Sequence, residues 1–240
     1  MTSLLHETTC FKNELNLSAI SHELRNPLTL IHSTIQLLGS HHPEITRDPL
    51  WRQLNQDVDY MTQLLSELSA LNQSQHIKKA EIRIRQFLTD IVTSYLPVTR
   101  AQGKSLSLNL HTPLESFYGD PLKLKEVFIN LLNNALEATR AGDSIVIEAK
   151  SKWNRIVFTV SDSGQGIDED RLPSIFDPFV TYKQNGTGLG LTIAQNIVKA
   201  HGGSIRVWSK PGKGTKFILI LPAPEASVCL DAQVPPDCGI

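Results

Sequence analysis

Two hydrophobic rhythms divide the chain. In the first third, Leu17, Ile20, Leu24, Leu28, Ile31, Ile35 and Leu38 recur at steps of three and four, the spacing of a helix with one buried face. Leu54, Val58, Met61, Leu65, Leu68 and Asn72 repeat the pattern in strict alternation of four and three, a heptad seam. Between them, Gly39, Pro43, Asp48 and Pro49 turn the chain. The pattern predicts an αα-hairpin over residues 12–74, behind an extension at 1–11. A lone hairpin leaves its stripes half exposed, so pairing two copies into a four-helix bundle is the expected solution. A seam against the rest of the same chain is the rival.

Residues 75–86 are polar and charged and read as a linker. Beyond them the rhythm is mixed. Phe87, Leu88, Ile91, Val92, Tyr95 and Leu96 suggest a helix, and Asp120-Pro121 reads as an N-cap with proline at the first helical position. That second helix is expected to reach about Thr139. A third helix is expected from about Thr187 to His201, stopped by Gly202-Gly203. Alternating stretches at 106–110, 144–149, 155–161, 204–209 and 215–221 predict strands. Residues 87–222 therefore read as an α+β sandwich, a mixed sheet with helices on one face. Residues 223–240 read as a disordered tail.

Composition narrows the function. Lys and Arg number 23 against 24 Asp and Glu, which argues against a general nucleic-acid binder. No apolar run reaches the length of a membrane span. Cys10, Cys229 and Cys238 are scattered and odd in number, which suits a reducing compartment. These features predict a cytoplasmic protein without a membrane span.

Four segments carry candidate chemistry. In Ser21-His22-Glu23-Leu24-Arg25-Asn26-Pro27, His22 is about 160–200° around the helix from seam positions Ile20 and Leu24, so it is expected to face solvent beside the Glu23 carboxylate. Pro27 is expected to bend the helix there. On the helix after Asp120, Asn130 and Asn134 are one turn apart, and amide oxygens suit Mg²⁺ with bound phosphates. Asp162-Ser163-Gly164-Gln165-Gly166 ends a strand run and offers a carboxylate in a tight turn. Lys183 to Leu191 feeds glycines into a helix N-terminus, a phosphate-favouring arrangement, though its spacing is neither Walker A nor the dinucleotide fingerprint. Each segment taken alone has an ordinary reading: a surface histidine, a solvated helix face, two glycine-rich turns.

Their order is more specific. SHELRNPL, NLLNNA, DSGQGI, IFDPFVTYK and GTGLGL resemble the H, N, G1, F and G2 boxes of bacterial two-component histidine kinases, over roughly residues 15–222. GKGTKF resembles the last glycine-threonine turn of the same Bergerat-type ATP-binding fold. The NPL and NALEA sequences are most similar to nitrogen-sensor and sporulation-type kinases. The resemblance implies that His22 accepts phosphate from ATP, with Glu23 as base, and passes it to an aspartate of a response regulator receiver domain. Asn26 would orient water in the reverse, phosphatase direction. Asn134 would hold Mg²⁺ and Asn130 would lie beside the triphosphate. Asp162 would bind the adenine amine, with Gly164, Gly166 and Thr215 shaping its pocket. Lys183 would reach the γ-phosphate. Gly186, Thr187, Gly188, Leu189 and Gly190 would form the phosphate-holding lid loop, anchored by Phe176 and Phe179. Glu137 departs from the family's usual basic residue, leaving Arg140 or Lys183 to supply that charge. A homodimer with a protein signal input is expected. A serine-phosphorylating relative of the same ATPase fold is expected to lack the H box, and a non-catalytic scaffold to have decayed nucleotide boxes. Neither description fits.

Overall fold

The computed structural model describes residues 2–111, 114, 116–183 and 186–223, with the side chains of 2–20 and of His22 outside that description. The expected tail lies outside the described residues except for Ala223.

Helix α1 (Thr2–His41) starts ten residues before the expected hairpin boundary and runs without interruption through Pro27. No glycine or proline precedes Pro27, so nothing in residues 2–26 stops the helix. A 3-10 turn at Pro43–Arg47 reverses the chain. Asp48 then caps α2 (Pro49–Gln73), accepting from the Leu50 N–H at 2.8 Å, a cap worth about 1 kcal/mol.

The seam divides in two. Leu28, Ile35 and Val58 are buried between the helices, with Trp51 and Leu65 against them. Leu24, Ile31 and Leu38, seven residues apart, are about half exposed, as are Leu54 and Met61. One set of heptad positions closes the hairpin and the other faces outward. Leu64, Leu68 and Leu71 do neither: they pack on the core of the following domain. The intrachain seam is therefore seen at Leu68, while the outward positions stay uncovered in the single chain.

The expected linker is partly structured. Ala80–Arg83 forms strand β1, paired antiparallel with β3 (Ser116–Gly119), and α3 (Ile84–Ala101) follows at once. Ile82 is buried at 4% exposure, so a single inward residue in a charged segment holds this small sheet in place. Only residues 74–79 connect the hairpin to the next element.

The main sheet contains β2 (Ser105–Leu110), β4 (Ser144–Lys152), β5 (Arg155–Asp162), β6 (Ser204–Ser209) and β7 (Thr215–Pro222), in the order β2-β4-β5-β7-β6. Only β2 and β4 are parallel neighbours. Ile145, Ile147, Phe158, Val160, Phe217 and Leu219 point into one face. Helices α3, α4 (Pro121–Ala138) and α5 (Gly190–Ala200) supply the rest of that core, including Leu88, Val127, Leu131, Leu132 and Ile197. Each such large side chain contributes roughly 1.5–3 kcal/mol on burial.

A buried polar strut ties α4 to its surroundings. Asp120 caps α4 through the N–H groups of Leu122 and Lys123, and its other oxygen accepts from the Lys78 N–H at 2.7 Å. The Asp120 N–H in turn donates to His201 Nε2 at 2.9 Å, while His201 Nδ1–H donates to the Ile197 carbonyl. The imidazole is therefore neutral, and burial pushes its pKa down. A folded pKa below the unfolded value means that the folded state binds fewer protons, so stability is complete above about pH 6.5 and falls below it. The loss approaches about 1.4 kcal/mol per pH unit at most. Asp120, held below the ordinary carboxylate range by its three N–H bonds despite its burial, adds a separate loss only below about pH 4. Urea unfolding between pH 5.5 and 7.5 is expected to show the first slope, and His201→Gln to flatten it. An unchanged slope would exclude His201 as the cause.

Candidate active site

The site forms where α4, the ends of β5 and β7, and the N-terminus of α5 meet. At one end is Asp162, the last residue of β5, directly opposite Thr215 in the β5–β7 register. Asp162 Oδ1 accepts from the Gly164 N–H at 2.9 Å and the Thr215 N–H at 3.3 Å. Oδ2 has no partner among the described residues. Burial raises the Asp162 pKa, against the pull of those two N–H bonds, and the nearby Asp143 charge raises it further. A half-buried carboxyl with one oxygen fixed by backbone and the other free is suited to accept a ligand N–H.

Two glycines make this end possible. Gly214 has φ +80, and a Cβ there would come within 1.9 Å of the Asp162 carbonyl oxygen. Gly166 has φ +73, and a Cβ there would meet the Lys210 carbonyl oxygen at 2.1 Å. Both require a left-handed backbone and a close approach between chains, which only glycine supplies. The turns are joined by the Gly212 N–H to the Gln165 carbonyl at 2.7 Å and by Ser209 Oγ, which accepts from the Ile167 N–H and is 3.0 Å from Thr215 Oγ1.

At the other end, Asn130 and Asn134 project from the half-buried side of α4. They occur there because Leu124, Val127, Phe128, Leu131, Leu132, Ala135 and Leu136 take the buried face. Gly190 opens α5 beside Asn130, close enough that a Cβ would be 3.4 Å from Asn130 Oδ1. The α5 N-terminus and the asparagine face of α4 thus converge.

The segment between β5 and α5 carries the expected lid residues. Ile175 is buried, and the Phe176 ring meets Phe217 edge-on at 6.5 Å. Phe179 is not an anchor: it is 59% exposed, with φ +64. Its backbone N–H bonds the Gly188 carbonyl, and that turn directs the side chain outward. Lys183 reaches across to α4, donating to Asn134 Oδ1 at 2.5 Å and pairing with the Glu137 carboxylate. Arg140 is exposed, and the bond from its backbone N–H to Asp143 only shapes the turn after α4. Of the two candidate cations, it is Lys183 that the fold brings to Asn134.

One contact could not have been anticipated. The buried Thr187 donates from Oγ1 to the Glu67 carboxylate on α2, linking the lid loop to the helical hairpin. Two residues on, Ser69 accepts from Arg25 Nη2 at 3.3 Å, and Arg25 is one turn beyond His22 on α1. Glu67 occupies an ordinary polar position of an amphipathic helix, so nothing in its spacing singles it out. The expected outward direction of the His22 side chain lies outside the described residues.

Comparison with known proteins settles the family. Residues 13–77 match the His Kinase A (phospho-acceptor) domain, and residues 119–225 match the histidine kinase-, DNA gyrase B-, and HSP90-like ATPase family. The chain carries the catalytic core of the two-component sensor histidine kinases. It is 35% identical over 211 residues to the sensor histidine kinase ZraS of Salmonella typhi, covering 85% of this chain and 44% of that protein. Sporulation kinase E of Bacillus subtilis is 32% identical over 207 residues, covering 85% of this chain and 28% of that one. The chain therefore spans less than half the length of these relatives. Among solved structures, full-length ShkA in complex with AMPPNP superposes with a TM-score of 0.74 at 23% identity, over 87% of this chain and 45% of that one. The catalytic domain of histidine kinase ThkA gives 0.57 at 28% identity, over 61% of this chain and 96% of that one. The histidine kinase fold thus accounts for the hairpin and the sandwich together. No helix among the described residues is long and apolar enough to cross a membrane.

Proposed function

We propose that this chain binds ATP between α4 and the lid, transfers its γ-phosphoryl group to His22, and passes that group to an aspartate of a response regulator receiver domain. The Thr187–Glu67 contact is the observation that carries the reading. It couples the candidate phosphate loop to α2 close to the level at which Arg25, one turn past His22, crosses to the same helix. Donor and acceptor meet in this reading by movement about residues 74–79, and positioning is most of what phosphoryl transfer requires.

In this scheme the unpaired oxygen of Asp162 accepts from the adenine amine, with Thr215, Gly164 and Gly166 forming the pocket around it. Gly186, Thr187, Gly188, Leu189 and Gly190 form the phosphate loop, which leads into the α5 N-terminus and its positive dipole end. A ring nitrogen of His22 attacks the γ-phosphorus as the bond to the β-phosphate oxygen breaks and ADP leaves. Glu23 takes the proton from the imidazole. Asn26 orients water when the reaction runs as a phosphatase on the partner. The donor set suits Mg²⁺: Asn134 Oδ1 already accepts from a cation, the Lys183 ammonium, and Asn130 adds a second amide oxygen nearby. Bound there with the triphosphate, Mg²⁺ would neutralise charge on the phosphate oxygens.

The half-exposed Leu24, Ile31, Leu38, Leu54 and Met61 fit a homodimer seam, and sedimentation of the chain as a monomer would remove that part of the proposal. A protein signal acting on the bundle and a cytoplasmic location complete the reading. Incubation with γ-labelled ATP and Mg²⁺ tests the main claim. Acid-labile, alkali-stable label on the chain is the expected result, and acid-stable label would assign the phosphate to a hydroxyl instead.

A further inference from the structure

We propose that Glu137 is a positioning residue that seats the lid cation Lys183 at the phosphate end of the site, so that the lid supplies a charge α4 itself lacks. The proposal rests on the ATP reading above and assigns Glu137 a part in it.

Glu137 is one turn beyond Asn134 and about one half exposed, with its side chain at 57%. A carboxylate there, left alone, would oppose a triphosphate at short range. It is not alone. The Lys183 ammonium pairs with it and donates to Asn134 Oδ1 in the same arrangement. The other lid cation, Arg171, is engaged elsewhere, paired with Asp168 at 3.4 Å and stacked on Tyr182. Lys183 is thus the lid side chain that crosses to α4, and the carboxylate together with the amide oxygen defines where its charge rests. A flexible lysine held at two oxygens loses less freedom on meeting a phosphate than one free in solvent.

Equilibrium binding to the full chain tests this without turnover, using the non-hydrolysable triphosphate AMPPNP and ADP, each with Mg²⁺. Both side chains are half exposed, so the variants are expected to fold. Glu137→Gln is expected to weaken AMPPNP about three- to tenfold and ADP less than about twofold. Glu137→Asp, which keeps the carboxylate, should retain most of the affinity. Lys183→Ala should weaken AMPPNP about tenfold in the wild-type background but less than about twofold in a Glu137→Lys background, where the helix carries its own cation. Equal losses in the two backgrounds, an equal effect on both nucleotides, or tighter AMPPNP binding by Glu137→Gln would each overturn the proposal while leaving ATP binding intact. Failure of the wild-type chain to bind either nucleotide would overturn the ATP reading, and this proposal with it.

Discussion

A His22→Gln variant is expected to incorporate no label from γ-labelled ATP, a loss of at least about a thousandfold, while binding nucleotide as the wild type does. Glutamine keeps the helix, because it is a good helix former at a position well inside the 40-residue α1. It also keeps a polar side chain of similar reach. It lacks a ring nitrogen able to form the phosphoramidate bond, so only the chemistry is removed. The proposed nucleotide site lies on α4, α5 and the ends of β5 and β7, elements of the other domain. Persistence of label in this variant would place the acceptor elsewhere and refute the central assignment. Loss of nucleotide binding together with label would instead mean that His22 supports the fold of the site.

The second large effect is expected at Asn134. Asn134→Ala removes the oxygen that faces the lid cation at 2.5 Å and that is proposed to hold Mg²⁺. Autophosphorylation should fall about a hundredfold or more, since the charge of the phosphates is then less well neutralised. Folding should not suffer. Alanine is the better helix former by roughly 0.5 kcal/mol, and Asn134 lies outside the apolar face of α4. A melting temperature equal to or above that of the wild type, with Mg²⁺-dependent AMPPNP binding lost, is the expected pair of results. Labelling within about twofold of wild type would exclude Asn134 from the site. Lowered stability with labelling lost in proportion would reduce its role to a structural one. Mixing this variant with His22→Gln adds a further result: restored label would show transfer between chains of a dimer.

Much of the fold could be read from periodicity because its elements satisfy local rules. The five strands of the main sheet alternate, or run apolar, over most of their length, the exposed Lys150–Lys152 end of β4 excepted. Helix α4 announces itself through Asp120-Pro121, and the glycines that follow α5 mark its end. Strands β1 and β3 were not legible. Each is four residues long, too short for a period-two pattern to stand out, and β1 has one buried residue among charged ones. The start of α1 was missed for the opposite reason: nothing stops a helix there, but no apolar stripe advertises it.

The sequence nominated the candidate site residues through the order of their boxes, and the fold brings Asp162 to Thr215 and Lys183 to Asn134. The sequence also determined that a seam existed. What the seam faces was decided only by the tertiary structure. A heptad pattern records that a position is apolar, not which surface covers it, so Leu28, Leu24 and Leu68 look alike in sequence while one is buried in the hairpin, one faces outward and one packs on the ATPase domain. The same holds for charge. Glu137 reads in sequence as a departure from the family, and His201 as a helix end. Only the folded chain brings Lys183 to the first, 46 residues distant, and Asp120 to the second. Long-range polar contacts obey no period, so these two pairings are visible only in the folded chain.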